Sequence, residues 1–435
     1  MSNVNAAATA VHKPTRVRWL LLGVVFVTCL VAYLDRVNIS VCAPFIMEEL
    51  GFDRVQLGFT MSAFFMGYLV MQIPGGLMAE RLGIRLNGLL AMIWWSLFTV
   101  LTPMAWGFAS FMIVRFMFGL GEGPLYPNNS SFFARWFNTK ERSLPSALMM
   151  CGTFLGPALG PPLTVFIINH STWHWVFYLY GILGFVIAGV WYACSRNNPK
   201  EHPKVNEAEL LHITEKTSAE EAAEAATKKE MAPWGKFLAN YRFWCFGIQY
   251  FCTNYIIYIF LSWIPLYLLE ARGMSFTAMG GAAALPWLAI CLGMFLTGLM
   301  SDRLVARGLS KFFSRGFFGM LGLAGCGVFL YMATTVESTA GNVACLCASA
   351  FLLGFNYTSS WTGCQDLGVQ HGGTVGAWMN TWGTLGGVLA PIFTALLVDV
   401  VGWDSTLAIS CFIVIIGIVC WLFVKPDRPL TADIK

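Results

Sequence analysis

Residues 76–82 read Gly-Leu-Met-Ala-Glu-Arg-Leu, and residues 298–304 read Gly-Leu-Met-Ser-Asp-Arg-Leu, 222 residues later. Each begins inside an apolar run and ends in a charged pair, as a helix does on leaving hydrocarbon. Two further echoes keep nearly the same spacing. Pro44 to Gly51 (PFIMEELG) returns as Pro265 to Gly273 (PLYLLEARG), and Gly152-Thr153 returns as Gly383-Thr384 at an offset of 231. One short match is chance. Three in order mark a duplicated unit.

The unit is a membrane bundle. The chain has 435 residues, 57% hydrophobic and 11% charged, with a mean hydropathy of +0.64. A soluble domain carries about 25% charge. Twelve apolar stretches are each long enough to cross about 30 Å of hydrocarbon. They lie near 18–40, 55–78, 85–105, 107–132, 143–169, 174–194, 241–268, 277–300, 315–334, 340–364, 373–398 and 403–424. The polar segment 195–240 splits them six and six and reads as a solvated tether, followed by an amphipathic lead-in at Trp234–Phe237. The expected organisation is a tail (1–17), a six-helix bundle (18–194), a linker (195–240), a second six-helix bundle (241–424) and a tail (425–435). Duplicated bundles around a midplane site are a transporter design, in which one half rocks against the other.

An even number of crossings puts both termini on one side. Of the 27 Lys and Arg, 23 fall on the side of the termini, among them Lys140, Lys216, Lys228, Lys229 and Lys435, and only Arg54 and Arg272 on the other. That asymmetry predicts cytoplasmic termini and a cytoplasmic linker. The first apolar run leads into Asp35-Arg36 with no small-residue cleavage site, so it is expected to be retained. The 13 Cys lie mostly within spans and form no Cys-x-x-Cys pair, which predicts no disulfide framework and no metal site. The sequence carries no phosphate-binding loop and no nucleophile–base constellation. The expectation is therefore a non-enzyme without cofactor, working as a monomer, with the lipid bilayer and no nucleic acid as partner.

Four charges break the apolar pattern: Asp35 and Arg36 in the first span, Arg115 and Glu122 in the fourth. A charge near the bilayer centre costs at least a few kcal/mol, so such residues face a cavity, pair, and mark an ion or substrate path. At 1.5 Å per residue, Asp35 lies roughly 24 Å above Arg18 and Arg115 about 10 Å in from the opposite end of its span. Glu122 sits two turns deeper on the same face as Arg115. Asp35 is thus expected to face Arg115, and Glu122 to face Arg36 or an open cavity. Arg keeps its proton, so the acids must be the titrating members. A substrate carboxylate that takes an Arg fork strips the acid of its counter-charge and favours its protonation. Anion and proton binding then assist each other, as symport requires. The competing reading is a structural charge network.

Polar groups in span 7, Tyr250, Asn254, Tyr255 and Tyr258, recur at helical spacing and suit a cavity wall. GLGEG (119–123), GTFLGPALGPP (152–162) and GTLGGVLAP (383–391) suit close helix approach and bending.

The repeated loop segment resembles the signature of the major facilitator superfamily, here Gly76-Leu-Met-Ala-Glu80-Arg81-Leu-Gly83-Ile84-Arg85. Glu80 stands where Asp is usual and Ile84 where a basic residue is usual. The stretches YLDRVNIS (33–40), RFMFGLGEGPLYP (115–127), ARWFNTKER (134–142) and HWVFYLYGILGF (174–185) resemble the anion:cation symporter family within it. The likeness spans nearly the whole chain and is similar to the branch of bacterial sugar-acid:proton symporters. It implies an all-α membrane protein of twelve transmembrane helices in two pseudo-symmetric six-helix bundles. It implies proton coupling at Asp35 and Glu122, substrate carboxylate binding at Arg36, and Arg115 as a charge partner. Tyr33, Tyr68, Thr153, Thr358, Trp361 and Asn380 match or fall near residues lining the sugar-acid site, although Thr153 replaces a longer amide. Glu80, Arg81, Arg85, Asp302 and Arg303 suit a cytoplasmic gate, with Asp366 on the same rim.

The sequence thus points to alternating-access import of a small organic anion with protons across a bacterial inner membrane. A sugar acid of the galactonate, glucarate or hexuronate type leads. An aromatic acid of the phthalate or hydroxyphenylacetate type, or organic-anion exchange, is the alternative within transport. A membrane sensor that binds the anion without flux is the alternative outside it.

Overall fold

The computed structural model describes residues 13–138, 141–214 and 233–433. Lys140, Lys216, Lys228, Lys229 and Lys435 of the charge count lie outside them. Fifteen α-helices of five residues or more appear among the described residues. The first seven are α1 (Val17–Leu50), α2 (Arg54–Arg81), α3 (Gly83–Leu101), α4 (Phe108–Glu122), α5 (Leu125–Trp136), α6 (Ser143–His170) and α7 (Trp173–Cys194). Two short helices follow, α8 (Glu207–Thr214) and α9 (Trp234–Leu238). The second half holds α10 (Tyr241–Ser262), α11 (Ile264–Glu270), α12 (Phe276–Ala306), α13 (Phe317–Thr335), α14 (Thr339–Gly368) and α15 (Gly372–Val424).

Ten helices are long and apolar enough to cross a membrane, yet the chain makes twelve passes. The fourth pass is broken at Gly123-Pro124 into α4 and α5, because Pro has no N–H to continue the ladder. The last two passes are joined in α15 across Gly402, whose φ of 79° belongs to the left-handed region that glycine tolerates. Side chains such as Ile73, Phe166, Phe295 and Phe412 are more than 60% exposed, as suits a lipid-facing surface.

Packing repeats between the halves. In the first, α1 packs on α6, α2 on α4, and α3 on α7. In the second, α10 packs on α15, α12 on α14, and α13 on α15. These are the same three pairings, six passes apart. Glycine makes the closest of them possible. Gly67 of α2 lies against the Phe116 carbonyl, and Gly119 of α4 against the Phe64 carbonyl, so a methyl on either would meet backbone.

The halves meet through α6 on α12 and α2 on α15. These contacts lie toward the face opposite the termini, the outer face. There Gly58 sits against Pro391 and Ala395, Gly387 against Phe65, and Gly280 against Val165. Phe45 and Phe276 meet edge to face at 5.2 Å. Arg54 bridges to Glu270 at 3.0 Å and Asp399 at 3.2 Å. On the terminus face the described ion pairs stay within one half, as with Lys311–Asp366 and Arg315–Asp302. The protein is closed at the outer face, and no described ion pair shuts the other.

The linker departs from the expected solvated tether over 195–214. Glu209 of α8 is fully buried. Its carboxylate accepts from Thr15 Oγ1 (2.6 Å), the Val17 and Arg18 backbone N–H groups (both 3.2 Å) and Arg18 Nη1 (3.0 Å). It thereby satisfies N–H groups that the start of a helix leaves without partners, where the helix dipole favours an anion. His212 reaches Glu141 at 2.7 Å, and Asn138 donates to the His212 carbonyl. This part of the linker belongs to the first bundle.

Candidate functional site

Asp35 and Arg36 are neighbours on α1, so their side chains leave the helix about 100° apart. Arg36 turns toward α4. Its Nε donates to Glu122 Oε2 at 2.6 Å, with the two side chains 2% and 0% exposed. The guanidinium carbon lies 4.4, 4.8 and 5.0 Å from the ring centres of Tyr33, Tyr68 and Phe64. Three aromatic faces around a desolvated cation each contribute favourably. The second fork arm, Arg36 Nη2, and the second carboxylate oxygen, Glu122 Oε1, are buried without partners among the described residues. The pair is therefore half-satisfied: it can still receive one more carboxylate and one more proton.

Asp35 and Arg115 do not form the expected ion pair. Asp35 is fully buried, and neither of its oxygens has a hydrogen-bond partner among the described residues. Arg115 is 2% exposed, with its guanidinium 4.7 Å from the Phe118 ring and 5.6 Å from that of Phe64. Depth along the span, which the residue count gives, brings the two to similar heights. Rotation about the helix axis, which it does not give, decides whether they touch.

Tyr126 joins the site although the sequence reading passed over it. Its hydroxyl lies 2.9 Å from Thr153 Oγ1 and 3.4 Å from the Tyr33 hydroxyl. The signal was present: Tyr126 follows Glu122 by four residues and so shares its face. The second half supplies the opposite wall. Trp361 Nε1 donates to the Tyr250 hydroxyl at 2.9 Å, and Tyr357 packs edge to face on Phe154 at 5.2 Å. Phe65 and Tyr258 meet across the halves at 4.3 Å. The Phe154–Tyr357 and Phe65–Tyr258 contacts both run from one half to the other, so the two walls meet around one centre.

The remaining expected lining residues differ in readiness. The Thr358 hydroxyl is engaged with the Met294 carbonyl at 3.3 Å. Asn380 is half-buried, and its backbone carbonyl accepts from Thr384. Asn254 donates to the Tyr250 carbonyl. No described ion pair joins one expected gate residue to another. Glu80, Arg81 and Arg303 are exposed. Arg85 donates to the Tyr192 carbonyl and stacks over its ring at 4.0 Å. Asp302 pairs with Arg315 at 3.3 Å, and Asp366 takes Lys311 at 2.7 Å.

Two repeated six-helix bundles, closed over a buried charge pair at one face, define a secondary transporter rather than an enzyme. Comparison with known proteins gives the family. Residues 25–391 match the Major Facilitator Superfamily, and the chain belongs to it. It is 32% identical over 432 residues to the probable galactarate/D-glucarate transporter GarP of Escherichia coli, covering 95% of this chain and 96% of that one. It is 31% identical over 413 residues to the probable sulfoacetate transporter SauU of Cupriavidus necator, covering 94% of each. Among solved structures it resembles a bacterial homolog of the human lysosomal transporter Spinster, with a TM-score of 0.77 at 16% identity over 95% of this chain and 99% of that one. A D-xylose-proton symporter follows with a TM-score of 0.73 at 15% identity, over 95% of this chain and 98% of that one. These two likenesses are of fold.

Proposed function

We propose that this protein imports a small organic anion, first of all a sugar acid, in symport with protons by alternating access. The observation that carries the reading is the buried Arg36–Glu122 pair at 2.6 Å, caged by Tyr33, Tyr68 and Phe64. A carboxylate arriving at the free arm of the Arg36 fork competes with Glu122 for the same cation. Glu122 released from that cation, within apolar surroundings, gains from a proton. Asp35, with no hydrogen-bond partner among the described residues, is the second proton-binding group. Arg115 balances the local charge from its place between aromatic rings. Tyr33, Tyr68 and Thr153 receive the substrate from the first half, and Thr358, Trp361 and Asn380 from the second. The relatives named for galactarate, D-glucarate and sulfoacetate support an anionic cargo.

The protein works as a monomer in a bacterial inner membrane, with cytoplasmic termini and two domains, 18–194 with 195–214 docked on it and 241–424. The terminus face is then the cytoplasmic side, gated by Glu80, Arg81, Arg85, Asp302 and Arg303. The aromatic lining from Tyr33, Tyr68, Tyr357 and Trp361 also suits an aromatic carboxylate, and competition between galactonate, glucarate, phthalate and hydroxyphenylacetate separates the two classes.

The test of coupling is Glu122→Gln in proteoliposomes. Accumulation driven by a pH gradient is expected to vanish while substrate exchange survives. Persisting accumulation would remove Glu122 from the coupling step.

A further inference from the structure

The two walls of the centre differ in charge. Only Arg36 and Arg115 lie inside the apolar layer; every other Lys and Arg among the described residues stands near a helix end or in a connection. Arg115 is 2% exposed, with the Phe64 and Phe118 rings against its guanidinium, and it stands in the same half as Arg36, so it adds no cation to the opposite wall. The opposite wall offers Tyr250, Asn254, Tyr258, Tyr357, Trp361 and Asn380, which are neutral hydrogen-bonding groups. The acids of that half also stand near helix ends or the Gly402 kink, or in connections, as Glu270, Asp302, Asp366 and Asp399 do.

We infer that the cargo carries a single carboxylate, seated on Arg36, with an uncharged hydroxylated body against the neutral wall. It is an aldonate or uronate rather than an aldarate. This rests on the sugar-acid reading above and narrows it. Protonation of Glu122 frees one unit of positive charge on Arg36, which neutralises one carboxylate. With one carboxylate on Arg36, the second carboxylate of an extended aldarate would face the phenols, amides and indole of the opposite wall, which carries no cation among the described residues. An ionised group buried without a counter-charge costs far more than neutral donors return. A hydroxyl in the same place needs only what the wall supplies. The inference sets this chain apart from the relatives in Escherichia coli and Bacillus subtilis that are named for galactarate and D-glucarate.

The experiment is isothermal titration of the full chain in detergent with galactonate, glucuronate, galactarate and D-glucarate in turn. At pH 7 every carboxylate of these ligands is ionised. Galactonate or glucuronate is expected to bind about a hundredfold or more tighter than either diacid, the scale of one unpaired buried charge. Asn380→Lys, which places a cation on the neutral wall, should narrow that gap at least about tenfold. Diacids that bind the natural chain as well as the monoacids would overturn the inference and leave the sugar-acid reading standing. Failure of all four to bind would overturn both.

Discussion

At the scale of single residues, the site was legible as an anomaly. Asp35, Arg36, Arg115 and Glu122 stood out because hydrocarbon surrounds them in sequence. Their pairing was only half legible, since helix rise fixes height while neighbouring packing fixes rotation. Of the aromatic cage, Tyr33 and Tyr68 were legible through the family resemblance, whereas Phe64 looks like any other ring in an apolar span. The geometry makes Arg36 irreplaceable by another cation. Lys keeps the charge but lacks the planar fork that serves Glu122 and a substrate together. Arg36→Lys is expected to weaken binding about tenfold or more, read by titration with galactonate. Arg36→Gln leaves Glu122 as a buried unpaired acid and should cost about 3–5 kcal/mol of stability. Adding Glu122→Gln to it removes that acid, so the double variant should regain thermal stability but not binding. Recovery of binding in the double variant would show that substrate does not use the guanidinium.

At the scale of elements, the apolar stretches became helix, with the fourth divided at Gly123-Pro124 and the seventh at Trp263. The linker was misread for a physical reason. Its polar residues resemble solvated chain, and the groups they satisfy lie more than 190 residues away at the start of α1. Glu209→Gln keeps the shape and removes the charge that answers Arg18 and the helix end. It should lower stability by about 1–3 kcal/mol, measured as a fall in melting temperature. An unchanged melting temperature would return this segment to the role of tether. His202 adds a pH dependence. Burial pushes its imidazole below the ordinary value of 6.5. Geometry agrees, since its Nδ1 accepts from the Lys204 backbone N–H while its Nε2 lies 3.0 Å from the Cys194 carbonyl. The docked linker therefore prefers neutral His202, and that preference holds above the unfolded value near 6.5 and is lost as pH falls below it. Protection against hydrogen exchange in 195–214, taken relative to the intrinsic exchange rate at each pH, should fall between about pH 7 and 5, and His202→Gln should flatten that fall.

At the scale of the whole molecule, the duplicated loops seen in the sequence become duplicated packing. The two contacts between halves, α6 on α12 and α2 on α15, are counterparts under the same repeat, as a pair of bundles that rock about a shared centre requires. Which face is shut could not be read from residues, because it depends on which of two packings the same surfaces adopt. In this structure the outer face is shut by two unlike sets of contacts. One is apolar and close: Gly58 against Pro391, and Gly387 against Phe65. The other is the Arg54 bridge to Glu270 and Asp399, with all three side chains about a third exposed. Exposed ion pairs contribute below about 1 kcal/mol each, whereas overlap with backbone in a packed interface costs about 1–3 kcal/mol or more. The apolar set must therefore dominate the closure. Arg54→Gln should raise hydrogen exchange at the outer end of α2 and around the Gly402 kink of α15 by less than about tenfold. Gly58→Leu, driven into the Pro391 carbonyl, should raise it further and lower exchange on the terminus face, because opening one face of a rocking pair closes the other. If Arg54→Gln opened the outer face as far as Gly58→Leu does, the bridge rather than the packing would be the element that sets the balance between the two states.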